Sequence, residues 1–178
     1  MANANNAHGF LLYKSGQAEP TRRIRPVAAG RPSNLYIGDA YTLVAGNATK
    51  AAGDGAVTTA HGVVEAFELR PLPASPDGPM SQDVILAADN GYVIGIEDNS
   101  AEFIVQCSGI YAEALDGQYT DLSNLDVGLP SLRRSGQQVL LPTAVATRQF
   151  RVTGKNRAVG NNAGETNCQI IVHTQFAV

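Results

Sequence analysis

Hydrophobic and polar positions alternate along much of this chain, in short runs with the period of a β-strand rather than of a helix. The clearest run ends the sequence: Cys168, Ile170, Val172, Thr174 and Phe176 share one face, and the residues between them share the other. Segments rich in Gly, Asn and Asp separate about seven such runs. The sequence therefore predicts a mainly β fold, an antiparallel β-barrel or sandwich of short strands.

Local signals predict individual features of that fold. The alternation in residues 57–69 slips between the pair Val64 and Ala66 and the pair Phe67 and Leu69, which predicts a β-bulge or bend. Residues 92–96 and 103–107 are joined by a short polar turn at 98–100, which predicts a β-hairpin. Another hairpin-type turn is predicted at Asn90-Gly91.

Two further predictions concern Pro26 and Thr120. Because proline lacks an N–H group, a strand over residues 21–28 has to lie at a sheet edge if it forms. Residues 120–126 resemble one helical turn, with Thr120 as its N-cap.

The amino-terminal segment has a different character. Its first ~20 residues, rich in Asn, Ala and Gly, show no sustained period, so they bury too little surface to hold themselves in place. We expect residues 1–31 to form an extended basic arm that a partner orders, and residues 32–178 to form the β-rich body.

Charge is sparse and segregated. Charged residues are 16% of the chain, against roughly 25% in average proteins, and the formal net charge is −3. Residues 1–31 carry +4, residues 32–130 carry −12, and the rest carries +5. Either the basic ends neutralise the acidic middle internally, or the amino-terminal segment docks on an acidic partner. In the second case the docking residues are Arg22, Arg23 and Arg25. Nucleic acid is disfavoured, because basic residues are few and no aromatic-basic stripe is present.

The sequence offers no catalytic constellation: nucleophile-elbow, phosphate-loop and dinucleotide motifs are all missing. His8, His61 and His173 lie far apart in sequence and are expected to be ordinary surface residues. We therefore expect no enzyme activity, cofactor, metal or small-molecule substrate. Cys107 and Cys168 sit in strand-like runs and are expected to be buried and reduced. No apolar run approaches the ~20 residues of a membrane span, and no signal peptide opens the sequence, so a soluble protein made in a cytoplasm is expected.

Several segments together resemble one known family. They are MANANNAHGF, the basic run before IGDAYTLV, GYVIGIEDNSAEFIVQCSG, LDGQYTDLSNLDVGL, RQFRV and QIIVHTQF. They are similar to small structural proteins encoded beside the major capsid protein of tailed bacteriophages, the head decoration or cement proteins. The resemblance implies a β-rich homotrimer on the outer surface of the virion, bound at local threefold positions, that clamps neighbouring major capsid subunits.

The alternative hypothesis is a glycan- or receptor-binding β module of a phage fibre or tail. Exposed aromatic residues around a groove would favour it, whereas the aromatic content of 6% and the absence of Trp count against it. A hydrolase with an unfamiliar site is a third hypothesis.

Overall fold

The computed structural model describes residues 3, 8–53, 60–68, 84–123, 135–145 and 149–175. Within these ranges the fold is mainly β, as predicted, and its helical structure is one 3₁₀ turn at Glu113–Leu115. The strands are β1 (Leu11–Lys14), β2 (Arg22–Val27), β3 (Leu35–Tyr36), β4 (Ala40–Val44), β5 (Asn47–Lys50), β6 (Gly62–Glu68), β7 (Val84–Ile85), β8 (Gly91–Ile96), β9 (Glu102–Gln106), β10 (Tyr119–Thr120), β11 (Phe150–Lys155) and β12 (Gln169–Thr174).

The strands form two five-stranded antiparallel sheets and one small ribbon. Sheet I has the order β1-β9-β12-β11-β10, and sheet II has the order β2-β8-β6-β4-β5. The ribbon pairs β3 with β7. Sheet II curls so strongly that Cα atoms of its two edge strands, β2 and β5, approach within 8 Å.

The central strands of sheet II contribute side chains to two different cores, one on each face of the sheet. Val63 and Ile96 pack with the inner face of sheet I, including Phe103, Phe150 and Ile170. The next residue of β6, Val64, points the other way, into a second cluster inside the curl. Successive strand residues alternate between faces, so one strand supplies both cores.

Three local predictions are confirmed. A bulge is present in β6, as predicted, but the ladder between β6 and β8 shifts register between Val64 and Ala66, just before the step from Ala66 to Phe67 where the alternation slips. In β12, the side chains of Ile170, Val172 and Thr174 are buried, whereas those between them are half-buried. β2, which contains Pro26, is an edge strand that pairs with β8 alone.

The predicted hairpin between residues 92–96 and 103–107 is wrong. β8 belongs to sheet II and β9 to sheet I, so the turn between them carries the chain from one sheet to the other. Asp98 holds this crossing: its carboxylate accepts hydrogen bonds from Ser15 Oγ (2.9 Å) and the Ser100 N–H (2.8 Å), and its carbonyl accepts one from Thr174 Oγ1 (3.0 Å). The alternation of apolar and polar residues predicted each strand, but it could not predict which other strand it pairs with.

The expectation of a separate amino-terminal arm ordered by a partner is also wrong. β1 pairs with β9 in sheet I, and β2 pairs with β8 in sheet II. Phe10 is 2% exposed, and its ring centroid lies 5.0 Å from that of Phe150 and 6.2 Å from that of Phe103. Residues 8–31 are thus part of the body.

Two turn predictions also differ from the structure. Asn90-Gly91 does not close a hairpin, because β7 pairs with β3; Asn90 Oδ1 instead accepts the Ala29 N–H at 2.7 Å. Thr120 lies in β10, and residues 124–126 of the predicted helical turn are outside the described residues. In the described ranges, no helix has the length and apolar character to cross a membrane.

Candidate interaction surface

The three predicted docking arginines all lie on β2, but they do not point the same way. Arg23 and Arg25 share a face with Val27, the face that turns toward the inside of the curled sheet. Arg22 has the opposite parity, together with Ile24. β2 therefore displays its arginines on two faces rather than as one patch.

Two of these arginines are already neutralised within the chain. The Arg22 guanidinium binds both carboxylate oxygens of Glu65, at 2.5 and 2.8 Å. Arg25 binds both oxygens of Glu97, at 2.6 and 2.5 Å. Such paired N–H···O bonds fix the side chains in orientation as well as in charge.

Glu97 has a third partner, the buried hydroxyl of Tyr41, which donates to Glu97 Oε1 at 2.6 Å. Burial by itself would raise the pKa of Glu97, but the hydrogen bonds from Arg25 and Tyr41 lower it below the usual value. Burial, followed by the bond to Glu97, raises the pKa of Tyr41. The cluster ties β2, β4 and the end of β8 together in a charged form. Tyr41 and Glu97 were not predicted, because no spacing pattern links residues 56 positions apart in the chain.

Arg23 differs from its neighbours. It is exposed, and its charge is one of the smaller influences that lower the pKa of Glu97, but among the described residues no hydrogen bond or salt bridge fixes its side chain. Next to it Ile24 is 51% exposed and lies opposite Ile94 of β8, which is half-buried. The edge of β2 thus exposes a positive charge on one face and an apolar side chain on the other.

Charge segregation along the sequence is largely undone in the fold. Besides Arg22 and Arg25, Lys14 lies 3.2 Å from Glu102, and Lys155 lies 3.4 Å from Glu113. In each case a basic end of the chain meets an acid of the middle segment. Internal compensation, one of the two hypotheses, therefore accounts for much of the pattern.

A buried ion pair lies deeper inside sheet II. Asp39 is fully buried; its Oδ1 is 3.1 Å from Lys50 Nζ, and its Oδ2 accepts the Tyr36 N–H at 2.9 Å. Lys50 Nζ also lies 5.5 Å from the centroid of the Tyr36 ring. Burial raises the pKa of Asp39 to about 6 from its usual value of 3.8, and Lys50 offsets only part of that effect.

This shift predicts a pH dependence of stability. Between about pH 4 and 6 the folded chain holds a proton on Asp39 that the unfolded chain releases, so the free energy of unfolding falls as pH rises. The difference of about two pKa units corresponds to about 3 kcal/mol. We expect the free energy of unfolding of the wild type to fall by this amount relative to that of Asp39→Asn, as measured by urea unfolding between about pH 4 and 8. Above about pH 7 the difference between the two proteins should stay constant. Parallel pH profiles for the two proteins would contradict it.

The two cysteines behave as predicted. Cys107 and Cys168 are free and fully buried, and the Cys107 N–H donates to the Cys168 carbonyl at 2.8 Å. Burial raises the pKa of both thiols, that of Cys168 to about 11. Both thiols are therefore protonated and unreactive near neutral pH.

The histidines are half-buried rather than fully exposed. His8 Nε2 lies 3.1 Å from Gln169 Nε2, and His61 Nδ1 lies 3.4 Å from Thr42 Oγ1. Among the described residues, no three or more His, Cys, Asp or Glu side chains come together as a metal site.

Comparison with known proteins adds no relative. No family model, curated protein or solved structure matches this chain.

Proposed function

We propose that this chain is a structural head decoration protein of a tailed bacteriophage. It binds the outer surface of the capsid as a homotrimer, clamps neighbouring major capsid subunits and performs no catalysis. The sequence resemblance and the β-rich body, with its amino-terminal strands built into both sheets, support this function.

The observation that carries the proposal is the edge of β2. Arg22 and Arg25 fix this edge strand through their carboxylate partners. Exposed Arg23 lies on one of its faces and exposed Ile24 on the other, so a partner that binds along the edge meets both side chains. A rigid surface loses little conformational entropy on binding, which favours affinity. Arg23 would supply charge complementarity to an acidic capsid surface, and Ile24 would supply apolar area.

The amino-terminal strands would thus dock on the capsid as a preformed surface and would not fold on contact with it. Neutralising all three arginines would mix a loss of docking charge with a change in the β2 edge itself, because Arg22 and Arg25 are bonded to Glu65 and Glu97. Arg23→Gln removes the one charge of the three without an ion pair in the described structure. We expect it to weaken co-sedimentation with undecorated capsids by about tenfold at low salt, and less at high salt.

Arg151→Gln is the control, because Arg151 is also exposed but lies on sheet I, opposite His173 in the ladder; its Nε donates to the Gly117 carbonyl at 3.3 Å. Light scattering on each preparation should give the mass of three chains. Equal capsid binding by the wild type and Arg23→Gln would exclude the β2 edge. No binding of the wild type to capsids would exclude the proposed function.

A further inference from the structure

A groove crosses the face of sheet I that points away from sheet II. Its volume is about 460 Å³, which is within the usual range of ligand sites. β1, β11, β12 and the 3₁₀ turn all contribute residues to it, so it is built by parts of the chain far apart in sequence. It lies on a different surface from the β2 edge.

The apolar part of the groove consists of Tyr13 and Ile171. Tyr13 is 52% exposed, an unusual position for so large a side chain. β9 separates β1 from β12, yet both residues line the same groove. The tyrosine side chain therefore extends across the outer surface of the sheet toward Ile171.

The polar part is balanced in charge. Glu113 and Asp116 line the groove from the 3₁₀ turn, and Lys155 and Arg157 line it from the end of β11 and the residues that follow. Asp116 is held by the hydroxyl of buried Tyr111, whereas the Glu113 side chain is 67% exposed and has its Oε1 3.4 Å from Lys155 Nζ. A ligand of either net charge would meet like charges here, but a neutral ligand with many hydroxyl groups would find acceptors and donors together.

The centre of the groove is left open by a β-bulge. The register of β11 and β12 shifts between Val152 and Gly154, and a Cβ atom on Gly154 would have no neighbour within 4 Å. Glycine therefore keeps a side chain out of the space between Tyr13 and the charged residues. Bulges often occur beside binding sites, where they redirect the chain.

We infer that this groove binds a neutral carbohydrate. An exposed aromatic side chain offers an apolar surface to the C–H groups of a sugar ring. The Glu113 and Asp116 carboxylates accept hydrogen bonds from sugar hydroxyl groups. Lys155 and Arg157 donate hydrogen bonds to sugar oxygens. This binding is independent of the proposed capsid function. The sugar would bind on the face of sheet I that points away from sheet II, whereas β2 belongs to sheet II.

The test is saturation-transfer-difference NMR on the full chain, with glucose, galactose, mannose, N-acetylglucosamine and their disaccharides at millimolar concentration. We expect at least one to bind the wild type. Tyr13→Ala should then weaken binding by about tenfold, whereas Tyr13→Phe should keep most of it, because the aromatic ring is retained.

Leu12→Ala is the matched control, because Leu12 is a 38% exposed neighbour on the same strand that does not line the groove. Circular dichroism verifies the fold of each variant. The inference is overturned if none of these sugars binds, if only sialylated or sulfated sugars added for comparison bind, or if Tyr13→Ala binds as well as the wild type. Capsid co-sedimentation is measured separately, so its failure does not affect this result.

Discussion

Replacing Phe10 with alanine is expected to lower the free energy of unfolding by about 3–5 kcal/mol. The ring is 2% exposed and stacks on Phe150, so its removal leaves a cavity in the core shared by the two sheets. The next residue provides the control: Leu11 is 44% exposed, and Leu11→Ala should cost less than about 1 kcal/mol. Chemical denaturation of both variants measures the difference.

A chain that begins at residue 21 extends the same test. It lacks Phe10 and the whole of β1, so it should melt well below the full-length protein rather than keep a folded body. The truncated chain also lacks Gly9, which packs closely against the rest of the protein. Its φ is +71°, and a side chain there would overlap the Gly38 carbonyl and Ser135. An unchanged melting temperature for the truncated chain would show that residues 1–20 lie outside the cooperative fold.

The second large effect is expected at Gly95. A methyl group at this position would overlap the hydroxyl and ring of Tyr41, which is fully buried and has little freedom to move. Gly95→Ala should therefore lower the free energy of unfolding by about 3 kcal/mol and disturb the Tyr41–Glu97–Arg25 cluster. Thermal and urea unfolding measure the change.

Gly109→Ala is the matched control for Gly95→Ala. A Cβ atom added at Gly109 would lie 3.1 Å from Leu141 Cβ, a tight contact but much longer than the overlap with the Tyr41 hydroxyl at Gly95, and the outer atoms of the exposed Leu141 side chain can turn away. A double-mutant cycle with Tyr41→Leu gives the cause: in that background Gly95→Ala should cost clearly less, because the smaller side chain relieves the overlap. Equal costs in the two backgrounds would mean that the Tyr41 overlap is not responsible.

Features encoded by neighbouring residues could be predicted from the sequence. Alternation identified β12 and its buried face, a slip in that alternation located the bulge in β6, and Pro26 placed β2 at an edge. Each of these depends on the local geometry of a strand or on a missing N–H group, which residue type specifies directly.

Features that depend on contacts between residues far apart in the sequence could not be predicted. The chain 98–100 resembles a hairpin turn, but whether it reverses the chain within one sheet or crosses to another depends on the partners of β8 and β9. β1 has only four residues, all exposed, so it shows no alternation in burial. The groove on sheet I joins Tyr13 to residues 100 or more positions away, and no spacing rule connects them.

The position of β12 has a consequence for biosynthesis. This strand lies in the interior of sheet I, hydrogen-bonded to β9 on one side and to β11 on the other, although residues 169–174 are translated last among the described strands. While the ribosome is still adding these residues, β9 and β11 have no central strand between them. The sheet can therefore close only after these residues have emerged from the exit tunnel, and until then the apolar faces of β9 and β11 remain open to chaperones and to other nascent chains.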